Sequence, residues 1–519
     1  MLLTSQQPVT STPDFFLLLL RKHHVMDPPT NFTCPILHEL MRDPVLASDG
    51  FSYERAAIGK WFSLGKKTSP ITNEPLECTT IFPNRALKST IHDYVVDQRQ
   101  LMKHRLLDEL HAVRTNAAYH EAANASLLQY SLVNVGGAVL DTYSILHAIF
   151  GSWKEDAEVC GAAVEGLVRM VDTTDDQEAN RIHQLDFFSV VMDVMRRFDM
   201  VSEVQACGLK YIQRYSRVNG FLKAACIQKY RACDMVVAAM KQHAADKDVQ
   251  VQGFHAMEML GTNFPSTAFK SGVSKVLLSA SELFGEDADV VRAICRAVQL
   301  LTGGACSRLC HGGLCRRLAD AMLFFPRDKG VQTQCCFVLA KISHSKTHCD
   351  ESVCDVVVAC LQEGLCDVEI ANAACAAMAR LAFWRRNATR FGDNDGCDMA
   401  LTCLGKGVEE GNEDLVANAL HALEHLTLED ETNRLALSTK QACTRIVQTL
   451  EASYEHRHIV LSALKTLHNI STYNAQCAKW CEEEAGAAKK VVRAMRSHLG
   501  EEELQEVGWS LLDLLRSSS

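Results

Sequence analysis

At 519 residues the chain is longer than one ordinary domain, and its 47% hydrophobic residues can fill more than one core. A net charge of −10 and a pI near 6.1 weigh against a protein that lives on phosphate backbones, which shows a basic face or stripe. The 22 cysteines have neither the spacing nor the short chain of a secreted disulfide scaffold; most lie among Ala, Val and Leu, as in Ala373-Ala374-Cys375-Ala376-Ala377, where a thiol is a small apolar core residue. A reducing compartment is implied, cytoplasm or nucleus.

Residues 15–20 are six apolar residues placed before, rather than after, the basic Arg21-Lys22-His23-His24. The run is far shorter than a membrane span of about 20 residues, and the charge order is wrong for a secretory signal. Residues 1–26 are therefore expected to be a disordered leader.

From 27 to 99 the chain is dense in Pro, Gly, Asp and Asn with short apolar runs between them. Asp49-Gly50 is a turn dipeptide between Val45-Leu46-Ala47 and Ser52-Tyr53, which predicts a small hairpin. Ala57, Ile58, Trp61 and Phe62 recur at helical spacing and predict a central helix. Asn84 is placed to cap a second helix whose inward face is Leu87, Ile91, Tyr94 and Val95. A domain of about 70 residues needs a staple, often zinc. Here Cys34, His38, Cys78 and His92 are isolated, so no zinc ligand set is expected.

The segment reads Phe32-Thr33-Cys34-Pro35-Ile36, Glu39-Leu40-Met41-Arg42-Asp43-Pro44-Val45, Asp49-Gly50-Phe51-Ser52-Tyr53-Glu54-Arg55, then Trp61-Phe62, Thr68-Ser69-Pro70-Ile71-Thr72-Asn73 and Pro83-Asn84-Arg85-Ala86-Leu87. In that order and spacing it resembles the U-box family of ubiquitin-protein ligases over the whole domain. The resemblance implies a RING-like α+β fold without zinc, pinned by a polar network for which Glu39, Asp43, Asp49, Glu54, Arg55, Ser69 and Asn84 are the available groups. It also implies docking of a ubiquitin-charged conjugating enzyme on Ile36, Trp61 and Pro70, with no cofactor and no catalytic residue supplied by this chain. Cys34 has no evident base beside it and is not read as a nucleophile. Many active members carry Arg or Lys three residues after the second-loop proline; this chain has Asn73, a neutral group of shorter reach.

Residues 100–139 are expected to connect through a helix carrying Leu107, Leu110 and Val113. From 140 to 519 the dominant signal is internal repetition. A small residue recurs at Ala163, Gly208, Gly253, Ile294, Cys335, Ala374, Ala419, Ala463 and Gly508, with a large apolar residue four positions on and another four positions before. The spacing of 39 to 45 residues falls in the armadillo and HEAT range. Each stripe needs a neighbouring unit to bury it, so an α-solenoid is expected, mainly α in class. Ile294 breaks the small column, and looser or shifted packing is expected there. Through Val204-Gln205-Ala206-Cys207-Gly208-Leu209 and Leu464-Lys465-Thr466-Leu467-His468-Asn469-Ile470 this half resembles the armadillo family, with HEAT-like units an open alternative. Asn469 stands nearly alone at its position, without the Trp and Asn ladder of nuclear-import receptors.

Cys306, Cys310, His311 and Cys315, and His344, His348 and Cys349, match no common zinc spacing and are read as consequences of composition. The runs Glu482-Glu483-Glu484 and Glu501-Glu502-Glu503 are read as solvated helix faces. The reading is a ligase whose repeats bind the protein substrate, with no nucleic acid and no membrane partner. The alternative is a non-enzymatic scaffold with a decayed U-box.

Overall fold

The computed structural model describes residues 28–115, 142–173, 186–218, 229–261, 272–301, 304–343, 351–428 and 430–517. The expected leader, the rest of the connecting segment, and His344, His348 and Cys349 lie outside them. Among the described residues there are 24 α-helices against three short strands, a mainly α chain carrying one small α+β domain. Two units are distinguished, residues 1–211 and 212–519.

In the first unit, strand β1 (Pro44–Leu46) pairs antiparallel with β2 (Ser52–Glu54) and with β3 (Phe82–Pro83), in the order β2-β1-β3. Asp49-Gly50 makes the predicted turn: Gly50 has φ +82°, and the Phe51 amide donates to Asp49 Oδ1 at 3.1 Å. Alternation sends Val45 and its partner Tyr53 inward, both fully buried, while Leu46 faces out opposite Phe82. The central helix Arg55–Ser63 adds Ala57 and Ile58 to a core that includes Phe32, Cys34, Met41 and Ile91.

Asn84 caps the second helix as expected, accepting from the Leu87 amide at 3.0 Å. That helix, Arg85–Thr115, does not stop where a connector was expected to begin. Neither Gly nor Pro interrupts it, and Met102, Leu106 and Leu110 continue its buried side. Its second half packs on the first repeat: Lys103 bridges Asp156 at 2.9 Å and Glu158 at 2.8 Å, and Arg99 lies over the Trp153 ring.

Within each unit the repeats are built alike. A shorter helix turns into a longer one whose apolar stripe is buried, as in Val249, Gly253 and Met257 or Val331, Cys335 and Leu339. Only Ile370, of the first apolar column, is partly exposed, and it packs against Gly364. The long helices are capped by a column the periodicity did not reveal: Asp246, Asp287, Asp328, Asp367 and Asn412 each accept from the amide three residues on, at 2.9–3.4 Å. In four repeats a glutamine stands one residue after the first stripe position, buried at Gln205, Gln250 and Gln332 and partly buried at Gln505. Gln205, Gln250, Gln332 and Gln505 each donate to two C-terminal carbonyls of the preceding helix, Gln332 to Met322 at 2.8 Å and Phe325 at 2.9 Å.

The small column allows a close approach. A Cβ on Gly208, Gly253 or Gly508 would lie 2.5–2.6 Å from the side chain of Met195, Met240 or Met495, thirteen residues earlier. Ile294 corrects the expectation of looseness. It is 1% exposed, and the position thirteen residues earlier is the buried Ser281 instead of a methionine.

Cys306, Cys310 and Cys315 are buried, with the last two sulfurs 3.6 Å apart, whereas His311 is exposed and bonds the Ser307 carbonyl. The acidic runs are partly structural: Glu482 accepts the Ala488 amide, Glu501 pairs with Arg457 and Glu503 with Lys465. No helix among the described residues is long and apolar enough to cross a membrane.

Candidate functional site

Two loops flank the central helix, and they are the same structure built twice. In the first, Thr33 bridges Leu40, the Cys34 amide donates to the Glu39 carbonyl at 2.7 Å, and the His38 amide donates to the Cys34 carbonyl at 2.8 Å. In the second, Thr68 bridges Pro75, the Ser69 amide donates to the Glu74 carbonyl at 2.8 Å, and the Asn73 amide donates to the Ser69 carbonyl at 3.0 Å. His38 and Asn73 both take the left-handed conformation, φ +54° and +61°. The signal was present in the sequence as Thr-x-Pro-Ile-x-x-Glu, at Thr33 and again at Thr68. It makes Ile71, not Pro70, the counterpart of Ile36.

The expected docking residues are less exposed than anchors standing free in solvent. Ile36, Trp61 and Pro70 are all half-buried, and Ile36 and Trp61 pack on the domain core. Trp61 Nε1 donates to the Thr68 carbonyl at 2.8 Å, tying the central helix to the second loop, and the Lys66 ammonium sits 3.9 Å over its ring. Large apolar surface is instead offered by Leu37, Leu64 and Ile71, at 46%, 67% and 44% exposure. The buried parts of Ile36 and Trp61 hold the two loops to the core.

The polar network resolves into three groups. Asp43 receives Arg55 Nε at 2.5 Å and Lys88 Nζ at 3.1 Å, and its neighbour Glu54 accepts the Arg42 and Asp43 amides at 2.7 and 3.0 Å. Asp49 accepts the hydroxyl of fully buried Tyr53 at 2.8 Å. Burial pushes that phenol well above its ordinary range, with the Ser69 bond opposing the shift and the Asp49 bond adding to it. Ser69 Oγ accepts the Ile71 and Thr72 amides at 3.2 Å each, pinning the second loop, and Asn84 Nδ2 donates to Ser52 Oγ at 3.1 Å. Glu39 is exposed at the foot of the first loop, where its carbonyl rather than its carboxylate makes the loop bond described above. Cys34 is fully buried, its sulfur receiving the Glu54 amide. Tyr53, Ser52 and Lys88 were not anticipated, since their roles depend on partners distant in sequence. Among the described residues no three His, Cys, Asp or Glu side chains are grouped to hold a metal.

The bonds from Arg55 and Lys88 hold the Asp43 carboxyl below the usual carboxylate range. A carboxyl with a depressed pKa in the folded state stabilises above its unfolded value, near 4, and loses that contribution as pH falls through its folded value. The melting-temperature gap between wild type and Asp43→Asn, followed by circular dichroism, should therefore narrow from pH 6 to pH 3. A gap constant over that range would show that the ion pairs contribute nothing.

Residues 28–100 match the sequence model of the U-box domain family. The chain is 51% identical over 70 residues to the WD repeat, SAM and U-box domain-containing protein 1 of Danio rerio, and 53% identical over 68 residues to putative U-box domain-containing protein 58 of Arabidopsis thaliana. The matches cover 14% and 13% of this chain and only 14% and 16% of those proteins. The helical array resembles the crystal structure of an engineered protein, with TM-score 0.59 and 16% identity over 80% of this chain and 95% of that one. It also resembles a chain from a study of the cadherin–β-catenin interaction, with TM-score 0.50 and 12% identity over 80% and 91%. At such identities the likeness is one of fold. The chain thus carries a U-box domain, the kind found in ubiquitin ligases, joined to an α-solenoid.

Proposed function

We propose that the chain is a ubiquitin-protein ligase of reducing compartments, cytoplasm or nucleus. Its U-box docks a ubiquitin-charged conjugating enzyme, and its repeats hold the protein to be modified. The observation that carries the proposal is the pair of matched loops around the central helix, with Ile36, Trp61, Pro70 and Asn73 on or beside them. A substrate lysine amine attacks the thioester carbonyl, an isopeptide bond forms, and the conjugating enzyme's cysteine leaves as thiolate. The U-box contributes proximity and restriction of the donor, not an acid, base or nucleophile.

The test is discharge of a charged conjugating enzyme onto free lysine by the full chain, against buffer. No acceleration with a broad set of conjugating enzymes would favour the scaffold reading, which Asn73 in place of a cationic residue already makes worth testing.

Asn73→Arg should quicken that discharge by about three- to tenfold, if half of a charge-assisted hydrogen bond acts only in the closed state. Affinity for the uncharged enzyme should hardly change. Because φ is +61° at this position, the variant should also melt slightly lower, since the left-handed conformation suits Asn better than Arg. An unchanged rate with intact binding would put residue 73 away from the enzyme–ubiquitin seam.

A further inference from the structure

The chain's net charge of −10 conceals a basic stripe in the second unit. Counted from each small-column residue, the positions two and six further on lie on the open side of the long helices, every one at least partly exposed from Arg214 to Leu514. None of these positions is acidic, and Arg214, Arg296, Lys341, Arg380 and Lys465 are cationic. The long helices of consecutive repeats bring the positions side by side: Lys341 donates to the Gln299 carbonyl of the long helix one repeat earlier, and His425 likewise bonds the Ala379 carbonyl. Arg296, Arg380 and Lys341 take no ion pair among the described residues, the two arginines being exposed and Lys341 donating to a carbonyl. Lys465 is different, paired with Glu424 at 3.3 Å and Glu503 at 2.6 Å, which closes the run.

Burial depresses two histidines of the stripe, and its arginines add to the effect. His255 is held below its usual pKa by burial and then by Arg296 and Arg214. His421 is depressed by burial, with His425, Arg380 and His458 adding to it against Glu424. The opposite charge is set apart at the start of the same helices, where Asp248, Asp289, Glu369, Asp414 and Glu503 form a column. Seven residues separate the acidic column from the nearer basic one, about 10 Å along a helix.

We infer that the basic stripe of Arg296, Lys341 and Arg380 is the substrate-binding surface of the repeats, and that it takes an extended, acidic peptide segment. The inference rests on the ligase reading for the word substrate. Helices packed about 8–10 Å apart present one cation per repeat, and an extended peptide advances about 3.3 Å per residue. The matching segment therefore carries Asp or Glu at about every third position. A nucleic-acid strand fits less well: its phosphates follow at about 3.4 Å along the axis, so most would find no cation, and the acidic column would repel them.

The probe is a fluorescein-labelled 15-residue peptide with Glu at every third position and Ser or Gly between, titrated against the full chain by anisotropy without conjugating enzyme. It should bind, at least about tenfold more tightly than the same peptide with Gln or Lys for Glu, and more weakly as salt rises from 50 to 200 mM. Arg296→Glu with Arg380→Glu should weaken binding about tenfold or more, and Arg296→Gln with Arg380→Gln less, with melting temperatures unchanged because both side chains are exposed. Equal affinity for the Gln or Lys peptide, an unaffected double reversal, or tighter binding of a 15-nucleotide oligouridylate would each overturn the inference. Since no transfer is measured, its failure leaves the ligase reading standing, and a failure of lysine discharge leaves the peptide result standing.

Discussion

Ile36→Ala is expected to cut lysine discharge at least tenfold while lowering the stability of the U-box by about 1–2 kcal/mol. Both effects follow from one position. Ile36 sits at the tip of the first loop with part of its side chain on the domain core and the rest open. Truncation removes apolar contact with a docked enzyme and opens a partial cavity beneath the loop. The two consequences are separable because Ile71, its counterpart in the second loop, is 44% exposed. Ile71→Ala should weaken discharge with almost no change in melting temperature. If Ile36→Ala lowered discharge only in proportion to its unfolded fraction, and Ile71→Ala had no effect, the loops would not be the docking surface.

The second large effect lies in the array. Gly253→Ile should destabilise the chain by about 3 kcal/mol, the upper end of what overpacking usually costs. Even a Cβ there stands 2.5 Å from Cγ and Sδ of Met240, and an isoleucine adds three further carbons. Its gain in helix propensity over glycine, below about 1 kcal/mol, is too small to compensate. The chain contains the remedy, since Ile294 stands thirteen residues after Ser281 where three other repeats pair glycine with methionine. Met240→Ser in the Gly253→Ile background should recover at least half of the loss in a thermal melt. No recovery would mean that the helix pair cannot exchange bulk in this way, and that Ile294 is accommodated by something other than Ser281.

The sequence by itself determined what depends on near neighbours. The Asp49-Gly50 turn, the Asn84 cap, the central helix and the nine-fold stripe are encoded within four residues or by a regular period, and each was legible for that reason. The U-box was legible too, because its apolar and turn residues follow a family order throughout. Tertiary structure decided what depends on residues brought together from afar. Which carboxylate meets which cation was open until Arg55 and Lys88, twelve and 45 residues from Asp43, converged on it. Ile36 and Trp61 share their side chains between core and surface, a division no periodicity expresses. The basic stripe is the largest case: its cations lie about 40 residues apart among a majority of acids, and only the stacking of helices, which selects two positions per repeat and turns them to one side, separates their charge from the rest.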